Sequence, residues 1–250
     1  MKLIDLIVVD AGNTRCKVGL VHAEQLMVVQ TYPLAECDNE PWRDADFQHL
    51  LLHQARWIIS GSNPPVMKQL AHWLLRNGQN CTVLDASSHL PLTIKVKQPE
   101  RAGRDRLLNA LGVPTRPAII ISAGTAITVD AVDTDGSFLG GAIFPGLRLM
   151  AQALNDHTAA LPLIDPTLPV PPLPGKSTEE AMHAGIVQAA AGGIVGCITE
   201  MLPIMQSDSF SIYITGGDAE CLIPWLPWDV EMTPHLALQG LIVASQATQS

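Results

Sequence analysis

A repeat constrains this chain more than any other feature. The stretch VVDAGNTRCKVGL at 8–20 and the stretch IISAGTAITVDAV at 120–132 follow one plan. Each has a buried β-prone run, a polar residue, an Ala-Gly turn and a second β-prone run. DAGNT at 10–14 and SAGT at 122–125 lie about 112 residues apart. By period, strands are predicted at 3–9, 15–22 and 26–32, a helix at 44–53, a strand at 57–60 and a helix at 65–76, with Gly78 just past its end. The pattern restarts near 117 with the strands PAIIIS, AITVDAV and SFLGGAIF and a helix at 147–156. A proline-rich loop, a helix from about 178 to 205, the strand FSIYIT, the turn GGD, a short helix and a last helix near 235–247 complete it. The expected organisation is α/β: a duplicated βββαβα unit in two lobes, 1–113 and 114–250, facing a cleft.

Composition narrows the function classes. The chain has 250 residues, 47% of them hydrophobic, with 15 Lys and Arg against 24 Asp and Glu, a formal charge of −9. Such a surface repels a nucleic-acid backbone, so any phosphate must be held locally. Cys16, Cys37, Cys81, Cys197 and Cys221 are scattered and form no CxxC pair, which predicts neither a disulfide framework nor a zinc cage and fits a reducing cytoplasm. The opening run LIDLIVVD is too short for a signal h-region, so a soluble protein with no membrane segment is expected.

A strand that ends in Asp10 and turns through Gly12, Asn13 and Thr14 can present backbone N–H groups and a hydroxyl to phosphate oxygens. Asp10 would repel bare phosphate and makes sense if it holds Mg²⁺ through water. The alternative is an ordinary β-turn, because Asn, Gly and Asp dominate turns. The second turn at 122–125, and Gly216 and Gly217 after a third buried strand, give two phosphate turns and a place for a nucleoside.

Taken in order, DAGNTRCK, GRDR at 103–106, AGTAITVD at 123–130, GGAIFPG at 140–146, GKSTEEA at 175–181 and TGG at 215–217 resemble the motifs of type III pantothenate kinases. The resemblance runs over nearly the whole chain. It implies an actin-like, ribonuclease H-like fold with a nucleotide cleft, a homodimer, and ATP-dependent phosphorylation of pantothenate, the first step of coenzyme A synthesis. Asp10, Ala11, Gly12, Asn13, Thr14, Arg15, Cys16 and Lys17 match the first phosphate loop, Thr125 the second, and Gly216 and Gly217 the adenosine turn. Gly103, Arg104, Asp105 and Arg106 match the pantothenate-binding stretch, with Asp105 as catalytic base, and Thr178 matches a pantothenate contact from the dimer partner's side. The implied cofactors are ATP, Mg²⁺ and a monovalent cation, K⁺ or NH₄⁺. Asp105 heads the predicted helix RDRLLNAL, where the helix N-terminus favours an ionised base, although such a charge also serves simply to complement the dipole. Arg106 offers a planar fork for the pantothenate carboxylate.

Two positions depart from the family pattern. Ser122 stands where an aspartate linked to the monovalent cation is usual, and Val96 stands where a tyrosine is frequent. GKST at 175–178 is not a phosphate-binding P-loop, because Val170 occupies the position that needs glycine. His49 and His53 have the i, i+4 spacing of a zinc pair but no third ligand. LPLIDPTLPVPPLPG is expected to be a stiff surface or lid segment. The small-residue run AGIVQAAAGGIVGCI suits a packing or dimer seam, or equally a buried helix. Two other functions stay open: a kinase of another small hydroxylated substrate, and a nucleotide-binding regulator with reduced or no turnover.

Overall fold

The computed structural model describes residues 4–38, 40–205, 207 and 209–247. Cys37 is described only in its backbone. In chain order the elements are β1 (Leu6–Ala11), β2 (Arg15–His22), β3 (Gln25–Pro33), α1 (Ala45–His49), β4 (Arg56–Gly61), α2 (Pro64–Arg76), β5 (Cys81–Val83) and α3 (Arg104–Gly112). There follow β6 (Ala118–Ala123), β7 (Ala126–Val132), β8 (Phe138–Pro145), α4 (Leu147–Asp156), α5 (Thr178–Met201), β9 (Ser211–Thr215), α6 (Ala219–Leu222), β10 (Glu231–Met232) and α7 (Leu236–Ala247).

The chain forms two compact units. Unit 1 comprises Met1–Leu92, Lys97–Val113 and Leu236–Ser250, and unit 2 comprises Thr93–Val96 and Pro114–His235. Helix α7, placed in the C-terminal lobe by sequence, thus packs in unit 1. The reason lies at its crossing with α3: a Cβ on Gly240 would stand 3.0 Å from Leu108 Cα, and one on Gly112 would stand 2.9 Å from Gly240 N. Only glycines allow two helix backbones to come this close. Segment 93–96 joins unit 2 through the bridge of Ile94 to Phe138 and the ion pairs of Lys95 with Asp133 and Asp135.

The sheet of unit 1 has the order β3-β2-β1-β4-β5, with β1 antiparallel to β2 and parallel to β4. Alternation along the β1–β2 hairpin sends Ile7, Val9, Ala11, Cys16, Val18 and Leu20 into one core with Phe47, Trp57 and Leu70. Phe47 is the hub, its ring 5.1 Å from Tyr32, 6.1 Å from Trp57 and 5.8 Å from Trp73. The opposite face carries Asp10 and Lys17, which are cross-strand partners.

Unit 2 repeats this plan as β8-β7-β6-β9-β10, with the same antiparallel and parallel pairings. Ile119, Ile121, Ala123, Ile127 and Val129 face a core completed by Leu147 of α4 and by Ile186, Val187, Ala190 and Ile194 of α5. By length and composition the run Thr178–Ile204 could cross a membrane. Here its apolar residues cover the sheet of unit 2.

Candidate active site

In unit 1 the β1–β2 hairpin closes with Gly12 N donating to Arg15 O at 3.0 Å, leaving Asn13, Thr14 and Arg15 at an exposed tip. Ala11 and Cys16 have no exposed surface, and the Cys16 side chain fills the core, so within this stretch the surface open to a ligand is that of the tip. Asp10 sits where the strand becomes the turn. Burial pushes its carboxyl from 3.8 up to about 6, Lys17 across the hairpin draws it down, and Asp105 pushes it further up. The fold therefore brings Asp10, Lys17 and Asp105 into one electrostatic neighbourhood within unit 1.

Asp105 lies in the first turn of α3, with Gly103 as N-cap. The carboxylate folds back over that cap: a Cβ on Gly103 would stand 2.8 Å from Asp105 Oδ1. Arg106 keeps its stem beside the same glycine, its Cδ 3.5 Å from that position. Arg104 points elsewhere. Its guanidinium is buried and Nη2 donates to the carbonyls of Asp85 and Ser88, so its visible work is to hold the 85–88 turn.

Sequence reasoning missed the residues behind the first turn. Gly61 ends β4 at φ +141°, and a Cβ there would stand 2.7 Å from Ala11 N. Asn63 follows, its N–H donating to Ala11 O at 3.0 Å and its Nδ2 to Gly12 O at 3.3 Å.

In unit 2 the β6–β7 turn closes with Gly124 N donating to Ala126 O at 3.1 Å, and Thr125 is exposed. Gly146, at the head of α4, donates to Thr125 O at 2.9 Å. Ser122 pairs across the strands with Thr128, the place that Asp10 and Lys17 take in unit 1, so a neutral pair replaces a charged one. Thr128 Oγ1 donates to the buried carboxylate of Asp130 at 3.0 Å. Gly216, at φ +105°, presses on Ala123 as Gly61 presses on Ala11, and Gly217 beside it is exposed. Asp218 N donates to Ala123 O at 3.1 Å. Thr178 opens α5 on the surface behind the N-cap Ser177, whose Oγ accepts from Glu180 N at 3.2 Å.

Among the described residues no group of three or more His, Cys, Asp and Glu could hold a metal ion. Magnesium commonly binds through one or two carboxylates and keeps several waters. A single carboxylate such as Asp10 fits that mode. His49 lies on the surface with Asp46 at 4.0 Å, and among the described residues neither it nor His53 belongs to a group of three such side chains.

The family model for type III pantothenate kinase matches residues 6–200. The chain belongs to the type III pantothenate kinase family. The relative from Synechococcus sp. (strain JA-3-3Ab), named type III pantothenate kinase, is 33% identical over 239 residues, covering 92% of this chain and 88% of its own. Among solved structures, a Campylobacter jejuni protein described as a Baf family transcriptional activator superposes with a TM-score of 0.61 at 17% identity, covering 97% of this chain and 99% of its own. MreB5 of Spiroplasma citri, solved with ADP, gives a TM-score of 0.50 at 10% identity, covering 98% and 95%. At those identities the likeness concerns the fold, and the fold is actin-like. In this chain the duplication reaches below the two hairpin turns: SGSN at 60–63 and TGGD at 215–218 each end a parallel strand with a hydroxyl residue, a positive-φ glycine and an Asx residue.

Proposed function

We propose that the chain transfers the γ-phosphoryl group of ATP to the primary hydroxyl of pantothenate, giving 4′-phosphopantothenate and ADP, the first step of coenzyme A synthesis. The observation that carries this reading is the match of the type III pantothenate kinase family model over residues 6–200, and within unit 1 the charge of Asp105, at the head of α3, bears on Asp10, at the end of β1. A phosphate turn and a carboxylate base are what phosphoryl transfer asks of a protein, since positioning and charge neutralisation supply most of the rate.

In unit 1, the loop of residues 10–17 cradles the phosphates with the main chain of its exposed tip and with Lys17, Asp105 takes the proton of the attacking hydroxyl, and Arg106 binds the pantothenate carboxylate. In unit 2, Thr125 serves the phosphates and Gly216 and Gly217 the adenosine. When bound, Mg²⁺ supplies neutralisation of the triphosphate, and Asp10 would hold it through water. The protein acts in the cytoplasm as a homodimer, Thr178 contacting the pantothenate bound by a second copy, and it takes neither nucleic acid nor membrane as partner. Ser122 has no carboxylate to offer K⁺ or NH₄⁺, so dependence on a monovalent cation is weakened.

The test is ADP release from Mg·ATP with pantothenate and with a panel of other small hydroxylated acids and sugars. Pantothenate should stand far above the rest. A preference for another acceptor would reassign the substrate, and no ADP release with any acceptor would favour a regulator.

A further inference from the structure

We infer that Asn63 is a positioning residue that aims the first phosphate turn, one amide gripping the carbonyl of Gly12 while it caps α2. This rests on the proposed reading of residues 10–17 as a phosphate loop and adds a residue behind it. Asn63 N donates to Ala11 O at 3.0 Å and Nδ2 donates to Gly12 O at 3.3 Å. On the other side, Oδ1 accepts from Val66 N at 3.4 Å and the carbonyl accepts from Met67 N at 3.1 Å. A single residue therefore ties the start of a 13-residue helix to two consecutive peptide units of the turn.

The consequence follows from peptide geometry. In a planar trans peptide the C=O of one residue and the N–H of the next point in opposite directions. Holding Gly12 O fixes the direction of the Asn13 N–H, and holding Ala11 O fixes that of the Gly12 N–H, which closes the hairpin on Arg15 O. Asn63 thus sets the aim of the first donor at the exposed tip without touching a ligand. Gly61 allows the approach, because any side chain there would run into the Ala11 backbone. In unit 2 the same main-chain tether runs from Asp218 N to Ala123 O, but the Asp218 side chain turns to Arg148, so the side-chain grip belongs to the first turn.

An N-cap alone would explain the Val66 bond, and the substitutions separate the two roles. Ser and Asp cap helices about as well as Asn. A carboxylate has no donor for Gly12 O, and the shorter serine hydroxyl does not reach it. In Asn63→Ser and Asn63→Asp the melting temperature should stay within a few degrees of wild type, while the equilibrium dissociation constant for Mg·ATP rises about five- to tenfold, the worth of one hydrogen bond. Asn63→Asp should be the weaker binder, since it adds a negative charge beside the turn. The KM for pantothenate should stay as it was. Wild-type ATP affinity in both variants would overturn the inference, as would ATP binding that falls only in step with stability in Asn63→Ala. If the wild type binds ATP but leaves pantothenate untouched, the assigned substrate fails while the titration still decides the role of Asn63. A wild type that bound no ATP would end both.

Discussion

Arg148 Nη1 lies 2.5 Å from Oδ1 of Asp218, a carboxylate buried in the turn that follows β9. Nη2 of the same guanidinium reaches Thr167 Oγ1 at 3.4 Å, so α4 ties the proline-rich segment to the turn at 216–218. The arginine side chain is 55% exposed, which weakens the charge pair, but its loss leaves a buried carboxylate without its counter-ion. Arg148→Ala should cost about 1 to 3 kcal/mol in urea unfolding and raise the KM for ATP, and Arg148→Lys should recover part of both. Unchanged stability in the alanine variant would mean that Asp218 is satisfied without Arg148.

Gly61 and Gly216 should be hard to replace. Both have positive φ, and a Cβ on either would stand within 2.8 Å of backbone atoms of Ala11 or Ala123. Alanine at either position should cost more than about 3 kcal/mol or prevent folding, since strain adds to collision with atoms that cannot move aside. Gly78 is the control. It has φ +72° but nothing within 4 Å of the added atom, so Gly78→Ala should cost only about 1 kcal/mol. Equal losses at Gly61 and Gly78 in thermal melts would show that conformation, and not contact, sets the requirement.

The ligand-free protein should carry a pH signature from Asp10. Its carboxyl is raised from 3.8 to about 6, by burial first. Below about pH 4 the group is protonated in both folded and unfolded chains, and its full contribution to stability is present. As pH rises through 6 the unfolded chain has already ionised and the contribution is lost, on the order of 3 kcal/mol as an upper bound. The difference in stability between wild type and Asp10→Asn between pH 4 and 7 isolates this group from the exposed carboxylates. A difference that does not change with pH would contradict the assigned burial.

Ser122 should leave a trace in the choice of cation. The ratio of rates in K⁺ and Na⁺ should be small, and Ser122→Asp should enlarge it by restoring an anionic ligand. A strict K⁺ requirement in the wild type would locate the cation's ligands elsewhere.

What was legible in the sequence follows the reach of local pattern. The hairpins at 10–17 and 122–128 and helix α4 stand where periodicity and turn residues put them, because their signals lie within a few residues. β5 and β10 are too short for a period-2 signal. The helix predicted over 44–53 is α-helical only through His49 and then tightens into a 3₁₀ turn over Leu50–Leu52. Long-range facts were hidden: α7 crosses α3 at Gly112 and Gly240, and Arg104 turns away from its neighbours in the GRDR motif to grip the 85–88 turn. The roles of Gly61 and Asn63 could have been found, since SGSN at 60–63 mirrors TGGD at 215–218. The shift between those two is larger than that between the hairpins, because the proline-rich segment and α5 intervene only in the second half.

The most direct measurement compares wild type and Asp105→Asn in phosphoryl transfer to pantothenate and in equilibrium binding of Mg·ATP. With the base removed, turnover should fall by about 10² to 10⁴ while ATP affinity stays within about twofold. Turnover equal to wild type in the variant would contradict the assignment of Asp105 as the group that receives the hydroxyl proton.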